Sequence, residues 1–122
     1  MNTELVIKVL SQINDNNIIN YHNFLLDIIT KINKEKNLSL LLILLLYSRS
    51  DKILNFLNLN NIDFNIIKNG KNLLFYTTIL RYHDISNLLL SFGLKIQEKF
   101  IDIYINYSLH PTIMYRKDEK YY

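Results

Sequence analysis

The sequence contains no cysteine, no alanine and no tryptophan, and it has only two glycines and one proline among 122 residues. The absence of cysteine excludes disulfide bonds, thiolate metal ligands and a cysteine nucleophile, and it fits a reducing compartment. So few glycines and prolines leave few turn signals, which argues against a β-sandwich with many turns. Two glycines are also too few for a phosphate-binding glycine-rich loop.

Charge of one sign and long apolar stretches are also missing. The net charge is only +3, and acidic and basic side chains are spread along the chain without a basic stripe, which argues against a nucleic-acid partner. The longest apolar run, Leu40–Tyr47, has eight residues, whereas a membrane-spanning helix needs about 20. The run therefore predicts a buried helix, and the N-terminus lacks the pattern of a signal peptide. We expect a soluble cytoplasmic protein with no membrane partner.

The chain is rich in large apolar residues. Apolar residues make up 49% of it, which excludes a disordered chain and suits a single domain over residues 1–122. Its 17 Asn and 19 Ile residues, with only three Arg, are typical of an AT-rich genome.

The apolar residues recur with a period of 32 residues. Shifting the sequence by 32 positions aligns Leu41 with Leu73 and Leu57 with Leu89 without a gap. Each unit closes on a similar tripeptide: Lys31-Ile32-Asn33, Asp63-Phe64-Asn65 and Lys95-Ile96-Gln97. Self-similarity at a fixed period indicates a repeat architecture.

Within each of the last two units, the spacing of Leu and Ile predicts two helices joined by a short turn. Asp84 stands where it would cap the second helix of the third unit, and Gly93 stands where that helix would end in the left-handed conformation. Asn61, the next-best left-handed residue, holds the corresponding place in the second unit. For the chain we expect helices at roughly 3–13, 20–32, 39–47, 51–59, 73–81, 84–92 and 98–107, and no sheet of more than two strands.

The third unit resembles an ankyrin repeat. Gly70 stands where that family has the glycine of its turn, and Leu74 and Thr77 match the leucine and the following small residue of its Thr-Pro-Leu-His motif. The stretch 89–93, Leu-Leu-Ser-Phe-Gly, matches the closing Leu-Leu-x-x-Gly, and the stretch 62–65, Ile-Asp-Phe-Asn, resembles the Ala-Asp-Val-Asn that ends the preceding unit.

The sequence also departs from the family pattern. Asn72 and Leu73 replace the family's Thr-Pro, Phe75 replaces its His, and Ile29 stands in the first unit where a glycine is expected, so that the second helix of that unit must end differently. The resemblance implies an all-α fold, a short helical-hairpin solenoid of about three ankyrin-like repeats with a C-terminal capping segment. The repeat units are expected at roughly 1–37, 38–69 and 70–101, and the cap at 102–122, within one ankyrin-like domain.

The resemblance further implies a binding face. In ankyrin-type repeats the end of the first helix and the turn before it face the concave surface, where a bare scaffold carries polar or variable residues. Here those places hold apolar residues with a basic rim, which is typical of a protein-binding surface. The expected partner-binding residues are Tyr47, Lys68, Asn69, Lys71, Tyr76, Ile79 and Leu80. The alternative is that a terminal segment folds over this face.

No motif in the sequence indicates catalysis. His83 and Asp84 would suit half of a catalytic relay, but no Ser or Thr stands in a nucleophile motif, so a structural role is the better interpretation. The three histidines, His22, His83 and His110, share no helical i, i+4 spacing and have no carboxylate cluster beside them, which argues against a metal site. The C-terminal tyrosines suit a packed cap better than base stacking; they are Tyr107, Tyr115, Tyr121 and Tyr122. We therefore expect no enzyme activity, no cofactor and no metal.

These observations predict a non-catalytic protein–protein interaction module, with homo-oligomers left open. Poxviruses and other large DNA viruses encode ankyrin proteins of similar composition, and this resemblance implies a host regulatory or defence protein as the partner. The alternative is a compact helical bundle, similar to viral apoptosis regulators, whose groove takes a partner's amphipathic helix. Against that alternative, the Asn-Trp-Gly-Arg signature of that family is missing, and the chain has no Trp.

Overall fold

The computed structural model describes residues 2–48 and 52–107. Within these ranges every regular element is helical, and the one backbone bridge, between Lys68 and Lys71, belongs to no strand. The α-helices are α1 (Thr3–Leu10), α2 (His22–Glu35), α3 (Leu38–Tyr47), α4 (Lys52–Leu59), α5 (Leu73–Ile79), α6 (His83–Ser91) and α7 (Ile101–Tyr107). Short 3-10 helices, Ile18–Tyr21 and Glu98–Phe100, precede α2 and α7. The all-α prediction is thereby confirmed, and each expected helix has a counterpart.

The chain divides into two compact units, Met1–Asp63 and Phe64–Tyr122. The first unit holds α1 to α4, and the second holds α5 to α7. Each has buried apolar side chains of its own.

In the first unit, α3 is apolar along nearly its whole length and contacts both α1 and α2. Helix α2 buries a single face because its apolar residues recur at intervals of three and four. The fully buried side chains of these helices include Leu10, Leu25, Ile28, Ile32, Leu41 and Leu44. The apolar run Leu40–Tyr47 lies within α3, as the sequence predicts.

Asparagine caps the N-termini of three helices. In each case the backbone N–H group three residues further on donates to the side-chain oxygen, at 3.2 Å for Asn2 and at 3.0 Å for Asn37 and Asn72. Each bond satisfies an N–H group that has no partner within the helix. Part of the high asparagine content therefore has a structural use.

In the second unit, α5 packs against α6 and α7. Leu73 and Leu74 of α5 and Leu89 of α6 are fully buried. Tyr104 of α7 is buried as well, and its hydroxyl donates to the side-chain oxygen of Asn72 at 3.3 Å. The same asparagine oxygen thus caps α5 and holds α7 against it.

Two neighbouring threonines of α5 are buried but differ in their bonding. The hydroxyl of Thr77 lies 2.8 Å from the hydroxyl of Ser86 in α6 and donates to the carbonyl of Leu74 at 3.2 Å. The hydroxyl of Thr78 has no hydrogen-bond partner among the residues that the structure describes. One threonine therefore joins two helices through a polar contact, and the other only fills space.

Four α-helices are followed by a residue in the left-handed conformation. Lys36, Asn61, Arg81 and Gly93 have φ angles of 52, 61, 63 and 94°. In each case the next residue's N–H group donates to the carbonyl five positions back, at 2.9 to 3.1 Å, which is the closing bond of a Schellman motif. The predicted left-handed ends at Asn61 and Gly93 are confirmed. Helix α2 has no glycine at position 29; it continues past Ile29 and ends at Glu35, and Lys36 takes the left-handed conformation.

The prediction that Asp84 caps α6 is wrong. The helix begins one residue earlier, at His83, and the capping position is held by Tyr82, whose side chain makes no capping bond. Asp84 lies in the first turn instead, where a negative charge is favoured by the positive end of the helix dipole.

The 32-residue register holds for the aligned leucines of the last two repeat units but not for the start of their first helices. Leu57 and Leu89 are both fully buried, as their alignment predicts. Leu41 and Leu73 are also both fully buried, but the starts of their helices do not align, because α3 begins before its leucine, at Leu38, whereas α5 begins at Leu73 itself. The residues before α5 form a hairpin turn, and the helix starts only after that turn is complete.

Candidate protein-binding site

A tight hairpin turn precedes α5. The backbone N–H of Lys68 donates to the carbonyl of Lys71 at 2.9 Å, and the N–H of Lys71 donates to the carbonyl of Lys68 at 3.0 Å. Asn69 and Gly70, between them, have φ angles of 55 and 76°, as a type I′ turn requires. Asn-Gly is a preferred dipeptide for this turn because both residues tolerate positive φ. The turn therefore fixes the backbone of both lysines at the entry to α5.

Tyr76 fastens the turn to α5. Its hydroxyl donates to the carbonyl of Lys68 at 3.2 Å, and its ring meets the ring of Phe75 edge-on, with the centroids 5.5 Å apart. Ile79 and Leu80 follow Tyr76 by three and four residues, so they lie on the same side of the helix. Ile79 is half-buried, and Leu80 is 46% exposed.

Two lysine side chains lie on aromatic rings beside the turn. The Nζ atom of Lys71 is 5.5 Å from the centroid of Phe75 and 5.6 Å from that of Phe100. The Nζ atom of Lys99 is 5.1 Å from the centroid of Phe100, and a Cβ atom placed on Gly70 would lie 3.4 Å from it. The two ammonium groups therefore share one ring, a geometry that attraction between a cation and a ring face stabilises.

Six of the seven predicted partner-binding residues belong to the second unit. The turn brings Lys68, Asn69 and Lys71 together, and Tyr76 connects them to the side of α5 that carries Ile79 and Leu80. The seventh, Tyr47, belongs to the first unit, where it ends α3 and is 40% exposed.

Lys99 and Phe100 are candidate residues that the sequence analysis does not include. Both lie in the 3-10 helix Glu98–Phe100, between α6 and α7, and no periodic spacing connects that segment to the turn before α5. Only the folded chain brings them together. The dipeptide Asn69-Gly70, by contrast, is a sequence signal for a hairpin turn, and it would have located the turn without a structure.

The first unit contains an apolar cleft. The cleft measures about 350 Å³ and is lined by Ile18, Ile19, His22, Lys52, Asn55, Phe56 and Leu59. Ile19 and Leu59 are both 79% exposed, and the ring of His22 packs edge-on against that of Phe56, with the centroids 5.2 Å apart. Exposed apolar side chains around a cleft are typical of a surface that contacts another molecule.

Among the described residues, the other candidates for catalysis or metal binding do not form a cluster. His83 begins α6 and is half-buried, and Asp84 beside it is exposed. Across residues 2–48 and 52–107, no group of three or more His, Asp and Glu side chains is placed to hold a metal ion. His110 and the tyrosines at 115, 121 and 122 lie outside the described residues.

Across residues 2–48 and 52–107, no helix has the length and apolar character that crossing a membrane requires.

Comparison with protein-family models, curated proteins and solved structures finds no match to this chain. The candidate site is therefore defined by its own geometry, which consists of a hydrogen-bonded hairpin turn, a lysine pair on one ring and an exposed Leu80 at the C-terminal end of α5.

Proposed function

We propose that this protein is a non-catalytic protein–protein interaction module built from ankyrin-like helical hairpins, and that it binds a partner protein through the hairpin turn and α5. Leu80 carries the proposal, because this large apolar side chain is 46% exposed at the end of a helix that Tyr76 ties to the turn. Covering such a side chain with a partner's apolar surface is favourable. The neighbouring lysines supply the charged rim that guides encounter.

The order of elements in the second unit supports an ankyrin-like hairpin. A glycine-containing turn leads into the short helix α5, α5 packs against α6, and Gly93 follows α6 in the left-handed conformation. An origin in a large DNA virus, which the resemblance to viral ankyrin proteins implies, would make the partner a host regulatory or defence protein in the host cytoplasm.

The test is affinity purification of the tagged protein from cells that express it, followed by mass spectrometry of the retained proteins. We expect Leu80→Asp to lose a protein that the wild type retains, because the substitution removes apolar contact and places an unpaired charge in the interface. Leu88→Asp is the matched control, since Leu88 is a similarly exposed leucine of the same unit, 36% exposed on α6. It should retain the wild-type set.

Melting temperatures measured without partner complete the comparison. Both variants should melt near the wild type, because both leucines already contact water. Retention of the same proteins by Leu80→Asp and Leu88→Asp would place binding elsewhere. A large fall in the melting temperature of Leu80→Asp alone would mean that Leu80 is covered within the folded protein.

A second candidate function is favoured by the cleft of the first unit. In a compact helical regulator, such a cleft would take apolar side chains from a partner's amphipathic helix. Leu59→Asp changes a side chain that lines the cleft and is 79% exposed. If Leu59→Asp abolishes retention and Leu80→Asp does not, the groove-binding function is the correct one.

A further inference from the structure

Lys71 and Lys99 place two positive charges on one aromatic ring. Their Nζ atoms lie 5.6 and 5.1 Å from the centroid of Phe100. The two ion pairs found among residues 2–48 and 52–107 both belong to the first unit. Within that part of the chain, no carboxylate therefore lies at ion-pair distance from either ammonium group.

The ring and the turn make these lysines better ligands for a carboxylate than ordinary surface lysines. A surface ion pair usually contributes little, because two long side chains must be ordered to form it. Here the ring faces hold both ammonium groups, and Lys71 also donates to the carbonyl of Asn69 at 3.3 Å. An arriving carboxylate meets donors that are already positioned, so less free energy is lost to ordering.

The surroundings favour an acidic protein segment over a nucleic acid. Stacking of bases needs exposed ring faces, but two ammonium groups lie over Phe100, and Phe75 is only 5% exposed. At the C-terminal end of α5, Leu80 offers apolar surface that a bulky apolar side chain can cover and a phosphate backbone cannot.

We infer that the lysine pair and Leu80 together select a partner segment in which two adjacent acidic residues are followed by a bulky apolar residue. The inference rests on the proposed function and names the chemistry of the partner. Helix α5 has seven residues and so rises about 10 Å between the turn and Leu80. An extended segment covers that distance in about three residues, so the apolar residue is expected about three positions from the acidic pair.

The probe is a short fluorescent peptide in which Glu-Glu is followed, three positions on, by Leu. We expect the full-length wild type to bind it in anisotropy titrations, with an affinity that falls as salt is added, because salt screens exposed charges. Lys99→Gln should weaken binding roughly fivefold, the equivalent of one surface ion pair. Lys95→Gln is the matched control, since it removes an exposed lysine of the same unit that is not on the ring, and it should bind as the wild type does.

A second variant tests the role of the ring. Phe100→Leu keeps an apolar side chain and both lysines but removes the ring face that holds them. We expect it to weaken peptide binding about as much as Lys99→Gln does, and circular dichroism of each variant shows whether it is folded. Wild-type affinity in folded Phe100→Leu would overturn the claim that the ring positions the lysines.

Four outcomes would overturn the inference as a whole: no binding of the acidic peptide, equal binding of a Lys-Lys counterpart, unchanged binding by Lys99→Gln, or tighter binding of an oligothymidylate. The last would assign a nucleic acid instead. The proposed function fails by a different result, namely when Leu80→Asp retains every protein that the wild type retains. A loss with Leu80→Asp but not with Lys99→Gln keeps protein binding and removes only the acidic motif.

Discussion

At the scale of single residues, Thr77 and Thr78 differ in what their buried hydroxyls contact. We expect Thr77→Val to lower the free energy of unfolding by about 1–3 kcal/mol, because it leaves the hydroxyl of Ser86 buried without its partner. Thr78→Val replaces a hydroxyl without a partner among the described residues by a methyl group, so stability should stay the same or rise. Urea denaturation of both variants measures the difference.

The two variants control for each other. Both make the same substitution in the same helix at fully buried positions, so changes in helix propensity and side-chain volume cancel in the comparison. Equal losses would contradict the assignment of the Thr77–Ser86 contact as the polar connection between α5 and α6.

Glu35 gives a residue-scale prediction that depends on pH. Its carboxylate lies 2.7 Å from the ammonium of Lys31, and this hydrogen bond holds the pKa of Glu35 below its ordinary value of 4.5. Because the folded pKa is the lower one, the pair stabilises the fold above the unfolded pKa and ceases to do so as the pH falls through the folded value. We expect an NMR titration to give Glu35 a pKa below 4.5 and Lys31→Met to raise it. Identical titrations of the two proteins would refute the pairing.

At the scale of helices, left-handed residues determine where several helices end. Gly93 has a φ angle of 94°, and among the described residues no atom beyond its chain neighbours lies within 4 Å of a Cβ atom placed on it, so substitutions there are penalised through the backbone. We expect Gly93→Ala to lower stability by about 1–2 kcal/mol. Gly93→Asn should cost less, because Asn adopts this conformation more readily, as Asn61 does. Thermal unfolding of the two variants compares them, and equal losses would mean that the backbone conformation is not the cause.

Helix positions could be predicted from the sequence because the apolar periodicity that forms a helix is local. The second helices also kept their 32-residue register, since Leu57 and Leu89 are buried and a left-handed residue follows each helix. The start of α5 at Leu73 agrees with the expected helix at 73–81, although it breaks the 32-residue register with α3, because the turn before α5 changes the spacing. The end of α2 was missed because Lys36, a residue that rarely adopts positive φ, takes the place of a glycine.

The candidate site was predictable only in part, for a related reason. Lys68, Asn69, Lys71 and Tyr76 lie close together in the sequence, and the turn keeps them close in space. Lys99 reaches the same place through tertiary packing that no local pattern encodes. Contact between Leu80 and a partner stays a prediction.

At the scale of the whole molecule, stability depends on a limited set of fully buried Leu and Ile side chains. Leu89 is one of them, and we expect Leu89→Ala to cost about 2–5 kcal/mol through lost burial and a cavity. A protein of this size has only some 5–15 kcal/mol of stability, so the variant should unfold at a much lower urea concentration. Leu88→Ala, next to it but 36% exposed, should cost less than about 1 kcal/mol. A wild-type midpoint for Leu89→Ala would contradict the packing.

The Asn69-Gly70 dipeptide of the type I′ turn makes the protein susceptible to deamidation at Asn69. The backbone nitrogen that follows an asparagine can attack the side-chain amide and release ammonia, and glycine hinders this attack least because it has no side chain. Water then opens the cyclic imide to aspartate or isoaspartate, which puts a carboxylate between Lys68 and Lys71. Isoaspartate also lengthens the backbone of a turn that has room for only two residues between its hydrogen bonds. In an aged sample, the new carboxylate at position 69 would therefore compete with the acidic partner inferred for this surface.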